Sequence, residues 1–348
     1  MSLSCFYLPD CDRRWPLRLA VRWGFRTDEF AWSTNNVRPT GVDVRIAEPG
    51  EATCPSLNFT SQLRNSPVAL EFIPKPTRNS AEGQGPMGQK SKIEWTDATW
   101  NPTTGCTKVS EGCDHCYAHT LAHGRLAKVY ARQLPVVQNE VNLADPFAVR
   151  LWPERLDEPR KWKEPRMVFV NSMSDLFHVD VPDSFVRQIF EVMLEFDHHI
   201  YQVLTKRPTR AVRFFEKNRD LFPTGRIPGH IWMGTSVESQ DVIYRVDHIR
   251  LLPADVRFLS CEPLLGPLEL DLRGIQWVIV GGESGIGHRK MDATWPRDIR
   301  EQCRAAGVAF FFKQWGGRTP KAGGRELDGD TWDEMPSLSS IPAELAGV

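Results

Sequence analysis

The sequence predicts an α/β fold, a (β/α) barrel that is either complete or partly open. Two observations lead to this prediction. Short apolar runs recur between Ile93 and Phe312, and each is bounded by polar, Gly or Pro residues. Continuous runs of this kind suit strands that are buried on both faces of a parallel sheet. Most of the runs are followed by a stretch with helical spacing, and strands that alternate with helices are typical of such barrels.

Eight candidate strands follow from these runs. They cover residues 93–96, 147–151, 167–171, 200–204, 231–235, 256–260, 277–281 and 308–312. The connection between the sixth and seventh runs is short and rich in Pro and Gly, so we expect it to be irregular rather than helical.

Three of the helices between the strands are clear in the sequence. The first begins at Val181-Pro182-Asp183, and its apolar face consists of Phe185, Ile189, Val192, Met193 and Phe196. The second covers about 241–252. The third begins near Trp295-Pro296 and ends at Gly307, which suits the position just after a helix.

The two ends of the chain differ from this central region. Residues 1–86 show no sustained period and contain turn-rich stretches, so we expect an N-terminal extension that is disordered or not native, with the functional protein beginning near Met87. The central domain then covers 87–317, and 318–348 is predicted to be a polar tail. No signal peptide and no apolar run of about 20 residues is visible, which predicts a cytoplasmic protein without membrane association.

The centre of the sequence is a stretch with three cysteines, Cys106, Cys113 and Cys116, in the spacing C-x6-C-x2-C. Thiolates are soft ligands that suit iron–sulfur clusters and zinc. Three thiolates would leave one iron of a four-iron cluster open, whereas a structural zinc site needs a fourth protein ligand, for which His119 is available. Ligand chemistry alone leaves both metals open.

The residues around these cysteines carry a family resemblance. Cys116-Tyr117-Ala118 resembles the end of the cluster loop in radical S-adenosylmethionine (SAM) enzymes, whose usual spacing is C-x3-C-x2-C, so the longer first gap is a departure. The chain resembles more closely a three-Cys-motif family of phages and bacteria without an established activity. The landmarks run from about Lys92 to Trp315 and include Trp100-Asn101-Pro102, Ser172-Met173-Ser174-Asp175, Thr205-Lys206-Arg207-Pro208, Ser260-Cys261-Glu262-Pro263 and Gly281-Gly282-Glu283-Ser284.

The resemblance implies a radical SAM-like enzyme. Cys106, Cys113 and Cys116 would hold a 4Fe-4S cluster, and SAM would occupy the open iron. The cluster, reduced by an electron donor, would cleave SAM to a 5′-deoxyadenosyl radical that abstracts hydrogen from a substrate. Similar Cys-Tyr-Ala loops in nucleic-acid repair enzymes favour a nucleotide or nucleic acid as that substrate, and a partner protein is a further expectation.

Polar residues at the ends of the predicted strands are the other site candidates, because active sites of barrels lie at the carboxyl ends of the strands. Their mixture of carboxylates and cations suits a zwitterionic ligand such as SAM. The predicted cofactor-binding residues are Lys206, Arg207, Ser236, Glu238, Gly281, Gly282 and Glu283. The predicted catalytic residues are Asp175, His178 and Cys261.

The alternative is a barrel without radical chemistry. A zinc ion bound by Cys106, Cys113, Cys116 and His119 would then stabilise a nucleic-acid-binding or phage-defence module.

Overall fold

The structure is a computed structural model that describes residues 73–74 and 91–336. The predicted N-terminal extension lies outside the described residues, apart from Ile73–Pro74, which pair antiparallel with Glu334–Met335. The last part of the predicted tail, 337–348, also lies outside them.

The core is a sheet of seven strands that pair in parallel and in the order of the chain. The strands are β1 (Ala98–Trp100), β2 (Met167–Val170), β3 (Ile200–Thr205), β4 (Ile231–Ser236), β5 (Arg257–Cys261), β6 (Trp277–Gly281) and β7 (Ala309–Gln314). The sheet curls into a half-barrel, and β1 and β7 are its first and last strands. The predicted α/β class is therefore confirmed, and the barrel is partly open.

Two of the eight predicted strands are wrong. Residues 93–96 form a turn before β1, and their apolar side chains, Ile93 and Trp95, pack against the sheet instead of joining it. In the run 147–151 only Arg150–Leu151 is a strand, and it pairs antiparallel with Thr103–Thr104 outside the main sheet. The rest of that run is held by other backbone groups, since the Phe147 carbonyl accepts from Cys106 N at 3.1 Å.

Seven α-helices occur in the described part of the chain. They are α1 (Tyr117–His123), α2 (Ala127–Tyr130), α3 (Glu140–Ala144), α4 (Asp183–Glu195), α5 (Pro208–Lys217), α6 (Tyr244–Arg250) and α7 (Thr294–Ala306). The last ends at Gly307, which has a φ of 65° as predicted for the residue after a helix. The segment between β5 and β6 contains no helix. No helix in the described ranges is long and apolar enough to cross a membrane.

The two faces of the sheet are buried by different elements. One face packs against α4, α5, α6 and α7 and forms the larger apolar cluster, which we call the helix-side core. The other face carries no helix from the described ranges and is filled mainly by aromatic side chains: Trp95, Phe169, Trp232, Phe258, Trp277 and Phe311. We call it the helix-free face.

The segment after Gly317 belongs to the folded unit as far as Pro336, which corrects the prediction of a tail beginning at 318. Leu327 and Met335 are buried, and Asp333 pairs with Phe311 at the sheet. Trp277 Nε1 donates to the Glu334 carbonyl at 2.8 Å. Met335 covers the helix-free face, whereas Leu327 packs in the helix-side core, and the polar composition of the segment conceals these few apolar residues.

Truncation tests this role. A chain ending at Pro336 should keep the melting temperature of the full chain, whereas a chain ending at Gly317 should lose stability by about 3–6 kcal/mol, because the burial of Leu327 and Met335 is lost. Thermal unfolding followed by circular dichroism measures the difference. Equal melting temperatures for the two truncated chains would contradict the assigned role.

Candidate functional site

The three cysteines lie on a loop, residues 105–116, at the carboxyl end of the sheet. We call it the cysteine loop. Gly105 begins it beside the end of β2, where its N–H donates to the Met173 carbonyl at 3.0 Å. Gly105 has a φ of 85°, and a Cβ there would lie 2.1 Å from the Ala148 carbonyl oxygen, so only glycine fits. The loop ends at Cys116, directly before α1.

Cys106, Cys113 and Cys116 are free thiols of intermediate burial. Cys106 and Cys116 pack against the same small cluster, which includes Ala118, Phe147 and Met173. Three thiols on one loop form a donor set that suits a thiolate-bound cluster or zinc. Within the described residues, however, no group of three or more His, Cys, Asp or Glu side chains is arranged to hold a metal ion.

His119, the fourth ligand in the zinc alternative, has other partners. Its ring centroid lies 4.0 Å from that of His123 and 5.4 Å from that of Phe147. The backbone carbonyl of His119 also lies 3.0 Å from His123 Nδ1. In this arrangement the His119 ring packs along α1 and not with the cysteines.

A first carboxylate, Asp175, holds the cysteine loop through Arg207. Asp175 accepts hydrogen bonds from Thr205 Oγ1 at 2.7 Å and from Phe177 N, Lys206 N and Arg207 Nη1 at 2.9–3.0 Å. The Arg207 guanidinium then donates to the Thr107 carbonyl at 2.9 Å and to Cys106 Sγ at 3.4 Å. Asp175 after β2 and Arg207 after β3 therefore hold Cys106, the first cysteine of the loop, in place.

His178 reinforces this contact. Asp180 N donates to its Nδ1 at 3.1 Å, so in the neutral ring Nε2 carries the proton and donates to Thr107 Oγ1 at 2.8 Å. Burial, followed by the nearby positive charge of Arg207, lowers the pKa of His178 and favours the neutral form.

A second carboxylate, Glu238, holds the middle of the loop. It is fully buried, and it accepts from Lys206 Nζ at 3.1 Å, from Arg245 Nη1 at 3.0 Å and from Ser110 Oγ. Burial alone would raise its pKa, but the charges of Lys206 and Arg245 outweigh burial and lower it. A Cβ on Gly112 would lie 2.8 Å from Glu238 Cδ, so the loop backbone rests directly on this side chain.

A third carboxylate, Glu283, holds the end of the loop. His115 Nδ1 lies 2.8 Å from its Oε2, and Arg289 donates to it through Nη2 at 2.6 Å and Nε at 3.0 Å. Arg289 Nη2 also donates to the Glu111 carbonyl at 3.0 Å. Burial would raise the pKa of Glu283, but the hydrogen bonds from Arg289 and His115 lower it to about 2.

These contacts surround a thiol that is difficult to ionise. Burial, followed by the charge of Asp175, raises the pKa of Cys106 to about 11, although Arg207 acts in the opposite direction. Metal binding at Cys106 would therefore release a proton at neutral pH.

The predicted SAM-binding charges lie around the cysteine loop. The charged groups of Lys206, Arg207, Glu238 and Glu283 are all bonded to the cysteine loop or to each other. Ser236 is buried at the end of β4, where its carbonyl accepts from Arg245 Nη1 at 3.0 Å. These residues are brought together, but as supports of the loop.

Gly281 and Gly282 lie where other groups approach closely. A Cβ on Gly281 would be 2.6 Å from Glu262 Oε1, and one on Gly282 would be 2.0 Å from the Trp315 carbonyl oxygen. The pair therefore allows the ends of β5, β6 and β7 to pack together.

Cys261 is not brought to the site. It is fully buried in the helix-side core with Cys303, and burial raises its pKa well above the ordinary value. The neighbouring Ser260 points to the opposite face, because side chains alternate along a strand. Its Oγ donates to Glu262 Oε2 at 3.2 Å. The thiol predicted to be catalytic thus faces away from the cysteine loop.

One pair of charges at the strand ends does not bond the loop. Lys313 Nζ lies 2.9 Å from Glu262 Oε1, and their side chains are 21% and 14% exposed. Sequence reasoning placed both at strand ends without assigning them a role. It also missed the loop's contact residues, Thr107, Ser110 and His115, and the two arginines Arg245 and Arg289. The signal available for Arg245 was an arginine within the apolar spacing of a helix, between Ile243 and Val246.

Substituting Glu238 tests the support of the loop. Glu238→Gln leaves Lys206 and Arg245 without their countercharge, so the free energy of unfolding should fall by about 3–5 kcal/mol. Chemical denaturation measures it. The matched control is Glu195→Gln, which removes an exposed ion pair with Arg160 and should cost less than about 1 kcal/mol. Equal small losses would show that Glu238 is not a support.

The lowered pKa of Glu283 predicts a pH dependence. A depressed carboxyl pKa contributes stability that is complete above the unfolded pKa of about 4.3 and disappears as the pH falls towards about 2. The stability difference between the native chain and Glu283→Gln should thus be constant above about pH 5 and shrink at pH 4 and pH 3 in urea titrations. An Arg289→Gln background should remove most of this dependence. A stability difference that stays constant down to pH 3 would contradict the lowered pKa of Glu283.

Comparison with solved structures gives a distant similarity to spore photoproduct lyase. The lyase complexed with dinucleoside spore photoproduct is 14% identical over 61% of this chain and 62% of the lyase chain, with a TM-score of 0.36. A variant with bound AdoMet and dinucleoside spore photoproduct is 12% identical over the same shares, with a TM-score of 0.35. The chain thus spans about 62% of the length of these lyase chains.

Among curated proteins no match to the chain was found. A family profile described as "Protein of unknown function (DUF5131)" matches residues 90–336, which is most of the chain and nearly all of the part that the structure describes. The chain therefore belongs to the DUF5131 family.

Proposed function

We propose that the chain is a radical SAM-like enzyme that binds a 4Fe-4S cluster through Cys106, Cys113 and Cys116 and binds SAM beside it. When bound, such a cluster supplies the electron that cleaves SAM and so starts hydrogen abstraction from the substrate. The residues of the chain would hold the cysteine loop in place, favour the ionisation of its thiols and bind SAM.

The observation that carries the proposal is the mounting of the cysteine loop. Three carboxylates from the ends of different strands, Asp175, Glu238 and Glu283, hold one loop over the carboxyl end of a parallel half-barrel. Barrel enzymes place their chemistry at this end. The protein thus fixes the loop through its own ion pairs and hydrogen bonds.

Asp175 and His178 are positioning residues in this proposal. Asp175 orients the guanidinium of Arg207, and Arg207 in turn contacts Cys106 Sγ. His178 fixes Thr107, the next residue of the loop. A cation beside a thiolate stabilises its charge, so Arg207 would favour the deprotonated form of Cys106 that a metal requires.

Glu262 and Lys313 are the residues that we assign to SAM. These two groups lie at strand ends and bond each other, and neither bonds the cysteine loop. A zwitterionic amino acid group could replace this internal pair, with its ammonium on Glu262 and its carboxylate on Lys313. Their partial exposure leaves them accessible to a ligand.

The test separates the cluster from zinc by comparing two variants. After anaerobic reconstitution with iron and sulfide, Cys113→Ala should lose most of the bound iron and the visible absorption, because it removes one of three ligands. His119→Ala should keep both, because its ring packs on His123 and Phe147. Iron, zinc and sulfide analysis, with absorption spectra, provides the readout.

Cys261→Ala is the matched control, since it removes a thiol that lies in the helix-side core. It should keep the iron and the reductant-dependent conversion of SAM to 5′-deoxyadenosine. About one zinc and no iron per chain, with equal losses in Cys113→Ala and His119→Ala, would refute the proposal in favour of the zinc-stabilised module.

A further inference from the structure

A group of unpaired cations lies beside the cysteine loop. The stretch 115–139 contains no Asp or Glu, although the whole chain is almost neutral with a net charge of −1. Arg125, Lys128 and Arg132 are exposed in this stretch. None of the three forms an ion pair or a side-chain hydrogen bond with any residue that the structure describes. Most of the other arginines among the described residues do have an ion pair or a side-chain hydrogen bond.

The three cations follow α1 closely in the sequence. Arg125 lies in the turn after α1, Lys128 lies in α2, and Arg132 lies in the turn after α2. Their intervals of three and four residues place them on neighbouring turns. Ala122 and Tyr130 of the same segment are buried. The cations therefore face solvent together, and the segment leads directly from Cys116.

An exposed aromatic residue begins the same segment. Tyr117 directly follows Cys116, the last cysteine of the loop, and is 52% exposed. Its hydroxyl donates to the Ser172 carbonyl at the end of β2, so the ring is held in place while much of its surface remains open.

We propose that Arg125, Lys128, Arg132 and Tyr117 form a binding surface for a nucleic-acid strand. Unpaired cations along a surface neutralise phosphates, and an adjacent exposed ring stacks on a base without requiring a particular sequence. The surface deepens the proposed function, on which its role as a substrate-binding surface rests, because it leads a strand to the cysteine loop. Binding itself requires only the residues of the surface.

Fluorescence anisotropy with labelled single-stranded DNA and RNA oligonucleotides of about 20 nucleotides, longer than one single-strand site, tests the surface at several salt concentrations. The triple variant Arg125→Ala, Lys128→Ala, Arg132→Ala should bind more weakly. The slope of log K against log salt should become shallower by about 2, since each lost phosphate contact on a single strand accounts for about 0.7.

The matched control removes three exposed cations elsewhere, Lys163→Ala, Arg213→Ala and Arg219→Ala. It has the same change in charge and should keep the native affinity and slope. Tyr117→Ala should weaken binding about fivefold or more, whereas Tyr117→Phe, which keeps the ring and loses only the hydroxyl that holds it in place, should weaken binding less.

Three outcomes would contradict the proposed binding surface. They are no binding of DNA or RNA by the native chain, equal losses of affinity in the two triple variants, and tighter binding of an acidic polypeptide such as polyglutamate than of the oligonucleotides. Circular dichroism of each variant confirms folding. Because anisotropy does not depend on iron or SAM, failure here leaves the cluster test unaffected. Loss of iron in the cluster test likewise leaves the binding result intact.

Discussion

The cysteine loop depends on buried ion pairs at the carboxyl end of the sheet. A buried charge is costly unless it is paired, so Glu238 is stable only while Lys206, Arg245 and Ser110 remain in place. The same interdependence applies to Asp175 with Arg207 and to Glu283 with Arg289. Glu238 and Glu283 bond the loop directly, and Asp175 reaches it through Arg207. The site is therefore a continuation of the fold, and the loop cannot be moved without disturbing the strand ends.

The contacts also explain the long first gap between the cysteines. Thr107 and Ser110, which occupy this gap, carry the contacts to Arg207 and Glu238, while Gly112 rests on the Glu238 side chain. A gap of three residues would lack positions for both contacts. The additional residues in this gap are therefore the ones that neighbouring strand ends hold in place. This accounts for the difference from the usual radical SAM spacing.

The sequence predicts six of the seven strands to within two residues, because a short continuous apolar run between turn residues is typical of a strand that is buried on both faces. It fails at 93–96 and 147–151, where apolar side chains are buried by packing outside the main sheet. At the site it identifies the polar strand ends but not their partners. A charged residue after a strand has the same sequence pattern whether it faces a ligand, as we propose for Glu262, or a loop, as Glu238 does. That distinction depends on the path of the loop, which local sequence patterns do not determine.

The loop crosses the strand ends in a fixed order: Gly105 at β2, Thr107 at β3, Ser110 at β4 and His115 at β6. Tyr117 then returns to the end of β2 through the Ser172 carbonyl. Residues only two apart in the loop therefore contact strands that are four places apart in the sheet. The curl of the half-barrel brings these distant strand ends within reach of one short loop, so a change in the curl would also change the spacing of the residues that the loop carries.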